Sequence, residues 1–163
     1  MNVIIVPLVN KHLPEIWEFV PDDYFDDNMN IETFDNFKRW FRLNVKDGLT
    51  GLKGEEVIGC AYLDAIHDSL GRINILIKRK SLAPQETISI VKKYLPHFFL
   101  IHNLKGMYAI IRKNNYASLS LVKKIGFKIG KTLKNQEKVK NILTDCVIAS
   151  ILRVEVIGNE SIS

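Results

Sequence analysis

Cysteine is almost absent. Cys60 and Cys146 are the only two in 163 residues, they lie far apart, and neither sits in a CxxC or beside a histidine pair. A disulfide framework is excluded and a zinc site is not indicated, so no metal is expected. No apolar stretch approaches the roughly 18 residues that would span a bilayer. The apolar run at 1–7 lacks a basic flank and is cut by Pro7, unlike a signal peptide. A reduced, cytoplasmic chain without a membrane partner is the expectation. Repeats, low-complexity stretches and Pro/Gly/Ser-rich linkers are missing too, which leaves one domain over residues 1–157 and a polar tail at 158–163. Apolar residues make up 47% and charged residues 25%, the balance of a globular domain rather than a disordered chain.

Charge of one sign is locally absent as well. Residues 13–37 hold eight acids (Glu15, Glu18, Asp22, Asp23, Asp26, Asp27, Glu32, Asp35) and no Lys or Arg. Residues 105–140 hold ten bases and a single acid, Glu137, within a chain of net charge +5. Two readings stay open: two solvated surfaces of opposite sign, or a first region that meets a cationic partner and a second that meets an anionic one. Nucleic acid is not the expected partner. Only one of the ten bases is an arginine, and no exposed aromatics are interleaved with them.

Val and Ile at 2–7 predict an edge strand. Leu13, Ile16, Trp17 and Val20 predict a helix over 10–20, and Phe34, Phe37, Trp40 and Phe41 a second over 31–43, the aromatic stripe being core rather than a ligand box. Between them lies an acidic loop. Residues 49–53 and 57–66 read as a hairpin, and 72–79 as a third strand after a turn at 67–71. A long helix is predicted from Pro84 to about residue 100, with Ile88, Val91, Leu95 and Phe98 on its inner face and Pro96 bending or splitting it. A buried strand at 106–112, a helix at 115–125 stopped by Gly126, and strands at 127–133 and 144–154 complete the order. Strands 72–79 and 106–112, joined by a crossover helix, should be parallel. The sum is an α+β domain on a mixed, mostly antiparallel sheet of about seven strands with four helices.

The stretch from Asn115 through Tyr116, Ser118 and Lys124 to Gly126-Phe127 resembles the N-x-x-S-x-x-x-x-x-K-x-G-F signature of the GNAT superfamily of N-acetyltransferases. It stands after a buried strand and before another, as in that family, and the element order is similar from end to end. The chain is most similar to short stand-alone GNAT-like proteins of bacteria and their phages. The resemblance implies the GNAT fold, acetyl-CoA as co-substrate, and a gap between two splayed parallel strands in which the pantetheine pairs like an extra strand. By position that strand is 74–78, with Leu76 and Lys78 as main-chain partners and Ile77 between them. Asn115 and Ser118 match residues near the pantetheine arm and the departing thiol. As a helix start they serve equally well as caps alone.

Two departures follow. The family's Gly-rich diphosphate loop corresponds here to Ser81, Pro84 and Glu86. Pro84 has no amide to donate, and Glu86 adds a carboxylate where an anion would sit. Lys78, Arg79, Lys80 and the Thr87 hydroxyl could supply contacts instead, or be a solvated strand end. Catalytic groups are thin: the family's tyrosine position is Val122, while Tyr116 and Tyr108 are near but displaced. His67 beside Asp68 could act as a base through water or be plain surface. His67, Tyr116 and Ser118 are thus the candidate catalytic residues. The expected activity is acetyl transfer to a primary amine, on a small cationic molecule or a protein, with the acidic 22–35 region on the acceptor side. The rival expectation is a degenerate GNAT-like fold serving as a binding or assembly module, with stable partners or a homo-oligomer.

Overall fold

A seven-residue run buried on both sides, 57–63, sets the middle of the molecule. It lies in β3 (Glu56–His67), whose near-continuous apolar sequence suits a strand covered by helices on each face. Six further strands join it in one sheet: β1 (Val3–Pro7), β2 (Asp47–Lys53), β4 (Leu70–Ile77), β5 (Gly106–Arg112), β6 (Lys128–Val139) and β7 (Ile142–Leu152). In this computed structural model, which describes residues 2–158, the sheet order is β1-β2-β3-β4-β5-β7-β6. Every neighbouring pair is antiparallel except β4 with β5. The expected α+β architecture, a seven-stranded mixed sheet with one parallel pair, is what forms. Most of the polar tail lies outside the described residues.

Helices α1 (Leu13–Phe19) and α2 (Phe34–Asn44) cover one face, where Leu13, Ile16 and Phe37 pack on Val57, Cys60, Tyr62 and Leu76. Helices α3 (Pro84–Ile101) and α4 (Tyr116–Ile125) cover the other, over Ile58, Leu63, Ile73, Met107 and Ala149. Both cysteines are free and buried, and burial pushes the Cys60 thiol up to about 12 and that of Cys146 up to about 11.

Several expected boundaries move, each for a local reason. Residues 10–12 form a separate 3-10 turn before α1. α2 begins only at Phe34, because the Thr33 hydroxyl accepts the Asn36 amide at 3.2 Å and caps the helix there. The turn expected at 67–71 shrinks to Asp68 and Ser69, with φ of 50° and 63°, so Leu70 and Gly71 belong to β4. The last hairpin is longer than predicted and turns at Lys140 and Asn141, φ 49° and 65°. A fifth helix, α5 (Arg153–Val156), replaces the expected end of the last strand. Pro96 does not split α3. Six buried side chains (Ile90, Val91, Tyr94, Leu95, Phe98, Phe99) hold the helix through it. At about 1.5–3 kcal/mol for each fully buried apolar side chain they outweigh a proline cost of about 3 kcal/mol. Its far end is pinned to β2 by Asp47, whose Oδ2 meets His97 Nε2 at 2.9 Å and His102 Nε2 at 2.8 Å.

The parallel pair holds for three residues only, Leu70–Arg72 against Gly106–Tyr108. Beyond that, β4 stays with β3 and β5 stays with β7, and the two separate.

A close approach between β2 and α3 provides a stability test. A Cβ at Gly51 would stand 2.7 Å from the Tyr94 hydroxyl oxygen, with its next neighbour at an ordinary 3.5 Å, and Tyr94 is fully buried. Gly51→Ala should lower stability by about 1–3 kcal/mol in urea denaturation. Adding Tyr94→Phe, which removes the offending oxygen, should recover most of that loss; no recovery would refute the contact.

Candidate active site

Where β4 and β5 part, a cleft of about 450 Å³ opens through the sheet. Its two mouths differ in chemistry. On the face of α4, the walls are Asn115, Ser118, Leu121 and Val122. Asn115 caps that helix, its side-chain oxygen accepting the Ser118 amide at 3.2 Å, and Gly126 closes the other end at φ 120°. On the face of α1 and α2, the walls are Tyr24, Phe25, Trp40, Tyr62, Asp64, Arg72 and Asn74. Arg112 and Glu137 stand at the rim.

Hydrogen bonding along β4 fixes which backbone groups face the gap. The Lys78 amide donates to the Ile58 carbonyl at 2.8 Å, and Leu76 sits opposite Cys60. Amide and carbonyl directions alternate along a strand, so 74, 76 and 78 turn to β3 while Ile73, Ile75 and Ile77 turn to the gap. This corrects the expected main-chain partners, Leu76 and Lys78, by one residue. The Leu76 side chain is buried among the α1 and α2 residues. Asn74 Nδ2, at the wall of the cleft, is buried with no hydrogen-bond partner.

Side chains across the cleft are held in pairs. The Tyr24 and Tyr62 hydroxyls are 2.7 Å apart, and burial raises both above the ordinary phenol value, so both stay protonated at neutral pH. Asp64 takes a two-pronged bond from Arg72, Nε at 2.7 Å and Nη2 at 2.8 Å. Arg112 donates Nε to Glu137 at 2.6 Å, Nη2 to the Tyr24 carbonyl at 2.9 Å, and Nη1 to the Asp23 carbonyl. The acidic loop is thereby fastened to β5. Asp26 and Asp27 fasten it to the last hairpin, accepting the amides of Lys138, Lys140 and Asn141.

The structure gathers only some of the sequence-derived candidates. Asn115 and Ser118 line the cleft. Tyr116, three-quarters exposed, does not, and His67 pairs with Asp68 on an exposed turn at the opposite end of β4. Near the start of α3, Lys78 and Ser81 both donate to Glu56, at 2.6 and 3.1 Å. Those two bonds, the lysine's first, hold the Glu56 carboxyl below its ordinary value. Glu86 accepts the Ala83 amide at 3.1 Å and has Lys53 at 3.9 Å; Thr87 donates to the Ala83 carbonyl. Ser81, Glu86 and Thr87 are therefore each bonded to Glu56, Ala83 or Lys53, and with Pro84 they stand outside the cleft. Sequence reasoning missed Tyr24, Tyr62, Asp64 and Arg72, which no spacing links, and placed Asn74 in the expected pantetheine strand without singling out its side chain. Arg112 had a signal, as the lone arginine of the basic stretch. Trp40, expected in the core stripe, is half-buried at the cleft.

No family model matches the sequence, and no curated protein matches it. Solved structures do. The spermidine N-acetyltransferase from Vibrio cholerae in complex with CoA and spermine superposes with a TM-score of 0.77 at 16% identity, over 95% of this chain and 98% of that one. A point-mutant form of SpeG spermidine N-acetyltransferase from the same organism gives 0.81 at 16% identity, over 95% and 96%. RimL, a ribosomal L7/L12 alpha-N-protein acetyltransferase in complex with coenzyme A, gives 0.75 at 11% identity, over 93% and 94%. At these identities the likeness is one of fold, and the fold is that of the GNAT N-acetyltransferases.

Asp27 provides a pH test of how the cleft is framed. The Asn141 amide, then that of Lys140, holds its carboxyl below the ordinary value. A depressed folded-state value stabilises above the unfolded value, about pH 4, and that stabilisation is lost as pH falls through the folded value. Asp27→Asn should therefore lower Tm at pH 7, with the gap to wild type closing toward pH 3. A gap of constant size across that range would refute the role.

Proposed function

We propose that this chain is an N-acetyltransferase that moves the acetyl group of acetyl-CoA to a primary amine. The observation that carries the reading is the edge of β4 left without a β5 partner beyond Arg72, which through Ile75 lines a cleft that passes through the sheet. Acetyl-CoA supplies the acetyl group as a thioester, whose C–S bond is exchanged for an amide C–N bond while the amine proton leaves on the thiol.

The residues present fit that group at its acyl end. The backbone N–H and C=O of Ile75 and Ile77 turn to the gap, where pantetheine amides pair with them as an added strand would. The buried, unpartnered Asn74 Nδ2 is a donor waiting for a carbonyl. Asn115 and Ser118 stand at the amino-terminal end of α4 beside them, and the amine enters from the Tyr24 and Trp40 side. The Tyr24–Tyr62 pair keeps its protons, so its part is to donate toward developing negative charge, not to accept. Each carboxylate at the cleft is already bonded to an arginine or a backbone amide, so none is placed to take the proton, and the amine must have lost it to water before it attacks. The rate should accordingly climb about tenfold per pH unit up to the amine's own pKa, measured as thiol released from acetyl-CoA. A plateau near pH 7 would point to a base in the chain and overturn this assignment.

The diphosphate end does not fit as well. Pro84 offers no amide, and Glu56 and Glu86 place two carboxylates at the start of α3. That observation favours a second reading, a GNAT-fold binding or assembly module without a cofactor. Calorimetric titration with acetyl-CoA separates the two. The acetyltransferase reading expects heat at micromolar to millimolar ligand in the wild-type chain, whereas a degraded site expects a gain of at least tenfold in Pro84→Gly/Glu86→Gly, equivalent to about 1.4 kcal/mol. No heat and no thermal shift at millimolar acetyl-CoA leaves the binding module.

A further inference from the structure

Three carboxylates line the cleft, Asp26, Asp64 and Glu137, and each already has a partner within the chain. Asp26 accepts the amides of Asn28 at 2.8 Å and Lys138 at 3.1 Å, one on each oxygen. Asp64, with a side chain only 6% exposed, has both oxygens on Arg72. Glu137 holds Arg112 at 2.6 Å. Two guanidiniums thus stand in the same space, and the other acids of the 13–37 stretch do not reach its walls. A polyamine carries three or four ammonium groups, each of which needs its own carboxylate once water is stripped away. Asp64 and Glu137 are each balanced by a guanidinium, which leaves Asp26 as the one uncompensated charge, enough for a single ammonium and not for three or four.

The remaining wall is aromatic. Trp40 packs edge-on against Phe25 at 5.2 Å and Tyr62 at 6.0 Å, and Tyr24 packs on Phe25 at 4.8 Å. Rings in this arrangement receive another ring, and their faces attract a single ammonium without a counter-ion. The Tyr24–Tyr62 hydroxyl pair supplies the polar end of the same wall. We infer that the acceptor is a monoamine on an aromatic body, an arylalkylamine, and not a polyamine of the kind present in the Vibrio cholerae complex. The inference rests on the proposed acetyltransferase reading and names its second substrate.

The test uses the full chain with 2-phenylethylamine and spermidine as probes, titrated by calorimetry at low salt without acetyl-CoA, then compared as acceptors with it. Phenylethylamine should bind at least tenfold more tightly than spermidine. Trp40→Leu should lose at least fivefold for phenylethylamine and nothing for spermidine. Arg72→Gln, which frees the Asp64 carboxylate, should raise spermidine affinity severalfold. Wild-type protein alone decides the matter if either variant fails to fold: equal or tighter spermidine binding, or no binding of either amine, overturns the inference. Should phenylethylamine bind as expected while neither amine releases thiol, the acetyl-transfer reading fails and the arylalkylamine site stands. Faster release with spermidine sinks the inference and leaves acetyl transfer intact.

Discussion

The parting of β4 from β5 after three residues is the constraint from which the rest of the molecule follows. Each strand keeps a full-length antiparallel neighbour, β3 for one and β7 for the other, so the sheet is two antiparallel halves hinged on a short parallel seam. Strand edges inside a protein cannot be left bare, because every backbone N–H and C=O taken from water needs a partner. A sheet that opens in its centre is therefore a sheet with room for an extended guest. Helix caps at one mouth and aromatic rings at the other give that room two chemically distinct ends.

Cohesion around the opening comes from polar groups used many times over. Arg112 alone ties β5 to the acidic loop and to Glu137 of β6. Asp27 satisfies both amides of a hairpin turn whose two residues adopt left-handed backbone. Glu15, from the same acidic stretch, accepts the Val57 amide at 3.0 Å. A block of like charge that reads from composition as a solvated surface or a partner-binding face holds, at three of its eight acids, acceptors for backbone donors elsewhere in the chain.

Much of the architecture was legible. The strand-and-helix order, the parallel pair and the helix from Asn115 to Gly126 follow from local signals: β-branched runs, a crossover, a cap and a stop. The site was legible only where a single segment carries it, at Asn115 and Ser118. The parity of β4 was not, since a one-residue slip of register exchanges the gap-facing groups of Ile75 and Ile77 for those of Leu76 and Lys78, and nothing in the sequence weighs one against the other. Tyr24 with Tyr62, and Asp64 with Arg72, meet through loop placement and sheet pairing, and no spacing announces such meetings. His67 illustrates the opposite failure, where a suggestive His-Asp neighbour pair lands on an exposed turn and does not line the opening.

Surface loops ordinarily tolerate added or deleted residues. The segment between α1 and α2 does not have that freedom. Its carbonyls at 23 and 24 are grasped by β5, and its side chains at 26 and 27 cradle the tip of a hairpin more than a hundred positions away. Lengthening it by even one residue would put those clasps out of step with both partners at once, so the outline of the entrance is inherited from a loop length.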